Sequence, residues 1–387
     1  MKIVYCINTL CFGSIDTMII KKANALAEFP DNNIYIIVSN YVNYAEGSSA
    51  CNLSPKVRLI KLQLDKQISG EWSNALVGLK FLVRKAYIYK HCLQKYLTEI
   101  EPDIVVSTGG IEKFMLPFIH GTWKLIREFH FSKKYRIFEA NTLLNKLIAR
   151  LGNWLEFGYV IKKYDHIVVL THEDRNLHWK TMKNISVIPN AVELSPPPNA
   201  SSSFNSKKVI AVGRLVKQKN FLSLISAFRM VVFHHPDWVL EIYGNGPQKQ
   251  MLQKAVDEMN LNDNVFLMGH AIQINEKMSE AYCFVLSSIN EGLPLVILEA
   301  MSCGLPVVSY DCPCGPKDII TDGVDGFLVP TDDEQMLAEK ICYLIEHPQK
   351  RKIMGEAAKE KAAEYNIEKI IPLWMELFEN LLFKQVT

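Results

Sequence analysis

The sequence predicts an α/β protein with two parallel-sheet domains facing a cleft, and three observations carry this. Short apolar runs of strand length alternate with longer segments of helical spacing in both halves of the chain, the pattern of βαβ units. The stretch Leu194–Ser206, with three prolines and a serine cluster, interrupts that alternation once and reads as a linker. Charge also divides there. Residues 1–190 carry 25 Lys and Arg against 16 Asp and Glu, a net of +9, and residues 191–387 carry 18 against 25, a net of −7. Two sheets joined by a linker place a ligand cleft at the carboxyl ends of their strands.

The 387 residues suit two or three domains. Hydrophobic residues make up 49% and charged residues 22%, which excludes a disordered scaffold. A formal net charge of +2 argues against a dedicated nucleic-acid binder. No apolar run reaches the roughly 18 residues that would span a membrane. The segment 1–13 reads as a first core strand rather than a secretory leader, because no small-residue cleavage site follows its apolar run. Nine scattered cysteines, an odd number and several in apolar runs, point to a reducing, cytoplasmic setting.

In the first half, Lys2–Ile7, Ile34–Ser39, Asp103–Ser107 and His166–Leu170 read as buried strands, and Thr17–Glu28 as a helix. In the second, Lys208–Val212, Val239–Tyr243, Val265–Met268, Cys283–Ser287 and Pro306–Ser309 read as strands, with helices at Phe221–Phe233 and Gln248–Met259. The expected domains are 1–193 and 207–366. Residues 367–387 form a last helix whose apolar face (Ile370, Ile371, Trp374, Leu377, Phe378, Leu381) is expected to pack back on the first domain, with Pro372 near its start as a kink point.

The segment Glu291-Gly-Leu-Pro-Leu-Val-Ile-Leu-Glu299 carries the strongest chemical signal. A strand runs into a turn and a helix starts near Pro294, where proline suits a first helical turn. Amides at Gly292 and Leu293 can point at an anion, which the helix dipole favours. Glu299 lies about 80° around and roughly 12 Å along from Glu291. Two acceptors at the ends of an anion site suit a nucleotide sugar, with ribose diol, diphosphate and hexose in line. Gly213-Arg214-Leu-Val-Lys-Gln-Lys219-Asn220 offers a planar fork at Arg214 and a point charge at Lys219, a combination suited to a diphosphate. Asn220 reads as an N-cap. Taken alone, the segment fits a basic surface loop as well. Tyr243-Gly244-Asn-Gly246-Pro247 permits close approach to a ligand and equally fits a tight turn without one. Lys249 rules out a full dinucleotide fingerprint. Cys312 and Cys314 lack a second Cys/His pair at metal-binding spacing and read as loop residues.

In these motifs the second half resembles the nucleotide-sugar domain of a family 4 retaining glycosyltransferase, with the GT-B fold of two Rossmann-like parallel-sheet domains. The resemblance includes Asp322-Gly-x-Asp-Gly-Phe-Leu-Val-Pro330 and spans about 120 residues. Asp311-Cys-Pro-Cys-Gly-Pro-Lys-Asp318 resembles the group 1 subset that builds bacterial surface polysaccharides. The resemblance implies that Arg214 and Lys219 hold the diphosphate, Glu299 the ribose and Glu291 the sugar hydroxyls. Gly213, Gly244, Gly246, Gly292, Leu293, Pro294 and Leu295 would line the donor, with His270 near the base. Where the family has Gly-Gly-x-Glu after its first strand, this chain has Gly13-Ser14-Ile15-Asp16, and Gly13 and Ser14 are the corresponding donor-binding candidates. Leu125-Ile-Arg-Glu128-Phe-His130 resembles the strand end that carries a histidine facing the sugar, which makes His130 a catalytic candidate with Glu291, Arg214 and Lys219. A core histidine satisfied by a carbonyl is the alternative. Glu128, Lys133, Lys134 and Arg136 flank it as acceptor-binding candidates.

Lys80–Lys95 and Asn145–Lys163 mix Lys and Arg with large apolar residues. Such helices suit an anionic membrane surface, and equally a domain helix with its apolar face in the core. The expected activity is metal-independent, retaining transfer of a hexose or N-acetylhexosamine, most simply from a UDP-sugar, to a lipid-linked saccharide. No cofactor is expected, and the location would be cytoplasmic or peripheral on the inner membrane face. A nucleotide-sugar epimerase and a non-catalytic membrane-bound sugar-nucleotide binder are the rival readings.

Overall fold

The computed structural model describes residues 1–10, 14–39, 52–62, 75–133, 142–192 and 206–383. They form two compact units, one of Met1–Leu170, Trp179–Ala191 and Ile367–Thr387, the other of Thr171–His178 and Val192–Asn366. The expected linker at 194–206 lies outside the described residues except for Ser206. The first unit is not the continuous span that the sequence suggests. The short His172–His178 helix belongs to the second unit, because Asp318 accepts from the amides of His172 and Glu173 at 2.6 and 3.2 Å.

The first unit holds a seven-stranded sheet in the order β3-β2-β1-β4-β5-β6-β7. Its strands are β1 Lys2–Ile7, β2 Asn33–Val38, β3 Val57–Lys61, β4 Ile104–Ser107, β5 Lys124–Glu128, β6 His166–Val169 and β7 Ile185–Val187, paired in parallel throughout. Alternate side chains of β1 divide between two cores. Ile3, Tyr5 and Ile7 enter one and Val4 and Cys6 the other, as the two-residue period of a strand requires. Both faces are therefore covered, as a parallel sheet needs. The edge strands β3 and β7 are only partly buried, which explains why they show no continuous apolar run. The Ile367–Phe383 helix, with Pro372 inside it, buries Ile370, Ile371, Trp374, Leu377 and Phe378 in the same core as Ile3 and Tyr5.

The second unit holds a six-stranded sheet in the order β10-β9-β8-β11-β12-β13. These are β8 Lys208–Val212, β9 Val239–Tyr243, β10 Val265–Gly269, β11 Cys283–Leu286, β12 Val307–Tyr310 and β13 Gly326–Val329, again all parallel. The Phe221–His234 and Glu334–Glu346 helices pack their buried residues into one core with β8 and β9. Strand order reverses between β8 and β11, so the loops leaving these two strands flank the switch point at which open α/β sheets bind ligands.

Candidate donor and acceptor sites

Each unit gathers candidate residues at the carboxyl ends of its own strands. In the second unit, β8 pairs with β11, with Val209 opposite Cys283 and Ile210 opposite Phe284, so their following loops run side by side. The turn Lys217–Lys219 is clamped to the loop after β11 by three bonds. Ile289 N donates to Gln218 O at 2.9 Å, Gln218 Nε2 to Asn290 O at 2.6 Å, and Ser287 Oγ to Lys219 O at 2.8 Å. This frame brings Lys219 Nζ to 2.6 Å from Glu291 Oε1, across 72 residues of sequence. The pair is mostly but not fully buried, with side chains 15% and 9% exposed. Arg214, on the same loop, is exposed and enters no ion pair among the described residues.

The glycines here have a structural reason. A Cβ on Gly244, whose φ is +139°, would lie 1.9 Å from Gly213 O, and one on Gly246 would lie 2.4 Å from Leu215 O. Gly213 N donates to Tyr243 O and Leu215 N to Asn245 O, each at 2.9 Å, and Gly244 N donates to Gly269 O at 2.7 Å. The close approach expected of Gly244 and Gly246 toward a ligand is thus, in the structure, an approach of one loop backbone to another. A Cβ on Gly213 would meet the Lys219 stem at 3.2 Å, so this glycine leaves room for the lysine that reaches Glu291. His270 follows Gly269 and is exposed.

After Glu291 the chain passes half-buried Gly292, then buried Leu293 and Pro294. Pro294 is the residue before the Leu295–Ser302 helix and offers no side-chain cap to its first turn. Leu295 and Glu299 are half-exposed on that helix. The loop through Cys312, Cys314 and Gly315 lies against this entry. A Cβ on Gly315 would sit 3.2 Å from Gly292 O, and Glu291 N donates to Pro313 O at 3.3 Å. Asn220 takes the expected N-cap position without the expected side-chain bond. It precedes the Phe221–His234 helix in the left-handed conformation, φ +50°, and its side chain makes no cap. Its amide donates instead to Asp332 Oδ1 at 2.9 Å.

In the first unit, β5 ends at Glu128 and His130 follows. Alternation along the strand puts Glu128 and His130 on one side, with His130 Nε2 3.8 Å from Glu128 Oε1. Arg127 and Phe129 share the other, the guanidinium 4.2 Å from the ring centroid. Glu128 is nearly inaccessible, and both its carboxylate oxygens accept from Lys22 Nζ, at 2.5 and 2.6 Å. Burial raises the Glu128 pKa, but Lys22, His130 and Arg127 together outweigh it and hold the carboxyl below its ordinary range. Burial pulls His130 down to about 4, against the opposing pull of Glu128. The imidazole is therefore neutral near pH 7, and neither ring nitrogen has a hydrogen-bond partner among the described residues. On the far side, Glu156 binds Lys113 and Arg127, each at 3.3 Å. Lys133 stands over the rings of Phe157 and Trp179 at 4.9 and 5.0 Å. Ser14 opens the Ser14–Leu26 helix. Gly13, Lys134 and Arg136 lie outside the described residues.

The family description "Glycosyl transferases group 1" matches residues 199–361. An uncharacterized glycosyltransferase of Methanocaldococcus jannaschii is 31% identical over 334 residues, 74% of this chain and 82% of that protein. The chain belongs to the group 1 glycosyltransferases. An exopolysaccharide phosphotransferase of Streptomyces coelicolor is 35% identical over 228 residues, 57% of this chain, and this glycosyltransferase spans about a quarter (24%) of that relative's length. The structure of a Staphylococcus aureus TarM mutant, in complex with fondaparinux, alpha-GlcNAc-glycerol and UDP, superposes with a TM-score of 0.77. It is 18% identical and the match covers 98% of this chain and 100% of that one. The fold is thus GT-B, two Rossmann-like parallel-sheet units.

Of the residues singled out in sequence, the glycosyltransferase brings Gly213, Lys219, Gly244 and Glu291 into one cluster and Glu128 and His130 into another. Sequence reasoning missed Lys22, which lies 106 residues from its partner Glu128, and Glu156, which is 29 residues from Arg127. No local spacing signals either. Among the described residues one group has the make-up of a metal site: Asp174, His178 and Cys314, with one ligand atom from each within 4.8 Å of the others. Burial pushes the Cys314 thiol well up, and the thiol donates to Asp174 Oδ1 at 3.7 Å.

Proposed function

We propose that this glycosyltransferase moves a hexose or N-acetylhexosamine from a UDP-sugar to a lipid-linked saccharide, with retention of anomeric configuration and without a divalent metal. The setting would be cell-surface polysaccharide biosynthesis at the inner face of the cell membrane. One observation carries the reading: Lys219 and Glu291 meet at the β8/β11 switch point, and exposed Arg214 lies on the loop that carries Lys219. A diphosphate would draw Lys219 Nζ from Glu291 and share it with Arg214, while the released Glu291 carboxylate accepts from sugar hydroxyls. Glu299 would accept from the ribose.

Cations fixed at the leaving diphosphate stabilise charge that grows in the transition state, and such preorganised electrostatics is usually the largest catalytic contribution. As the bond from sugar C1 to phosphate oxygen breaks, the acceptor oxygen bonds C1 on the same face, and the acceptor proton passes to the departing phosphate oxygen. Neutral His130 would offer the sugar a hydrogen bond without adding charge. UDP and alpha-GlcNAc-glycerol in the TarM complex support the donor and the anomeric outcome, and the exopolysaccharide name of the Streptomyces relative supports the setting. No described helix is long and apolar enough to cross a membrane.

The test measures UDP release and the anomeric configuration of the product, with and without an extracted lipid-linked acceptor and with a chelator present. Acceptor-dependent release with an α product, unaffected by chelation, is expected. An inverted product or a trapped glycosyl–enzyme adduct sinks the mechanism. Donor isomerisation without acceptor indicates an epimerase, and binding without turnover indicates a non-catalytic binder.

A further inference from the structure

Among the described residues of the first unit, one long helix leaves its apolar face largely exposed. Thr142 caps the Leu143–Leu155 helix by accepting from Asn145 N at 3.1 Å. Leu143, Leu147, Ile148, Leu151 and Trp154 on it are each at least 60% exposed, and Leu155 is 43% exposed. At 100° per residue, Leu143, Leu147, Leu151 and Trp154 fall within an arc of about 80°, which Leu155 and Ile148 widen to about 140°. Such a stripe is what a helix normally turns to a core. The Ala75–Ile100 helix behaves in that way, burying Tyr89, Leu93 and Leu97.

The charge around the stripe selects its partner. Lys146, Arg150, Lys162 and Lys163 are exposed, with Arg150 bordering Leu143 on the helix wheel. Lys163 stands over Phe118 and Tyr159 at 5.3 and 5.1 Å, which extends the patch. The one acidic residue between 142 and 163 is Glu156, which is buried against Lys113 and Arg127. The described residues 142–163 therefore present an apolar and cationic surface with no exposed carboxylate. A second copy of the chain docked on it face to face would set like charges together, whereas an anionic bilayer answers both features.

We propose that the Leu143–Leu155 helix lies in the head-group plane of an anionic membrane. The apolar stripe enters among the acyl chains, and Lys146, Arg150, Lys162 and Lys163 contact lipid phosphates. The proposal gives the lipid-linked-acceptor reading its docking surface, and rests on that reading for its purpose but not for its geometry.

The test is co-sedimentation of the whole chain with phosphatidylcholine vesicles containing about one-third phosphatidylglycerol, with no nucleotide or acceptor present. Binding is expected, together with a blue shift in tryptophan emission that Trp154→Phe removes. Leu147→Glu with Leu151→Glu should lower vesicle affinity at least about tenfold. Lys146→Gln and Arg150→Gln should each lower it about fivefold, and salt should weaken the wild type. All four positions are exposed, so the variants keep the native circular dichroism and their UDP release with a soluble acceptor. Vesicle binding can thus fail while transfer survives, or the reverse. No binding to anionic vesicles, equal binding by the Leu147→Glu/Leu151→Glu variant, or a lipid-free dimer which that variant dissociates would each overturn the proposal.

Discussion

Lys219–Glu291 in the second unit and Lys22–Glu128 in the first are the same kind of ion pair at nearly the same length, 2.6 and 2.5 Å, but they lie in different surroundings. The first keeps some access to water, with side chains 15% and 9% exposed, and the second is sealed at 4% and 1%. Lys22 also stands 4.0 Å from the Trp374 ring centroid and 5.1 Å from that of Tyr5. Under the proposed function, a ligand's anion would reach and divide the first pair. The second can hardly be opened without leaving a bare charge in the core, so it fixes the place of Glu128. The same chemistry is thus partly open to water at one place and sealed at the other, and access makes the difference.

Four experiments bear on this contrast, in decreasing order of expected effect. Lys22→Met leaves Glu128 buried and uncompensated and should cost about 3–5 kcal/mol in urea unfolding. Adding Glu128→Leu should recover most of that, since replacing both partners by apolar groups is close to neutral. A double variant as unstable as the single one breaks the assignment.

The pH dependence of the first unit follows from His130. Its folded pKa of about 4 lies below the usual 6.5, so between these values the unfolded chain binds the proton more readily. The contribution is fully present above pH 6.5 and is lost as pH falls toward 4, on the order of 3 kcal/mol in all. His130→Phe should flatten the stability profile in that window, and an unchanged slope would assign it to other groups. Lys219→Ala should lower turnover with a UDP-sugar about 100-fold, roughly 2.7 kcal/mol in the barrier, while costing about 1 kcal/mol of stability. Near wild-type turnover removes Lys219 from the donor site. Asn220→Gly relieves the left-handed backbone but gives up the bond to Asp332, so a net change within about 1 kcal/mol is expected. A larger loss would show that Asp332 matters more than the backbone.

The two sites also differed in how much of them the sequence displayed. The turn and helix around Glu291 were readable because glycine, proline and a helix start lie within a few residues of each other. The glycine turn at Gly244 was readable too, although its immediate cause proved to be Gly213 O. Asn220 holds the expected N-cap position, but with a left-handed φ and its side chain on Asp332 it makes no side-chain cap. Around His130, alternation alone foretold that Glu128 would share its side. Lys22 could not be foretold, since it reaches Glu128 through the packing of the Ser14–Leu26 helix on the sheet. Both basic amphipathic helices looked alike in sequence. The structure buries the described apolar face of Ala75–Ile100 and exposes that of Leu143–Leu155.

By itself, then, the sequence determined what local chemistry and periodicity encode: alternating strands and helices, two parallel sheets, a loop rich in cations, and a helix start marked by glycine and proline. Tertiary structure alone decided which charges meet, which are sealed from water, and which apolar helix face is left uncovered. Those outcomes depend on contacts between residues tens to hundreds of positions apart, and on the loss of water at each contact. Neither the separation nor the local dielectric is written in any short stretch of the chain.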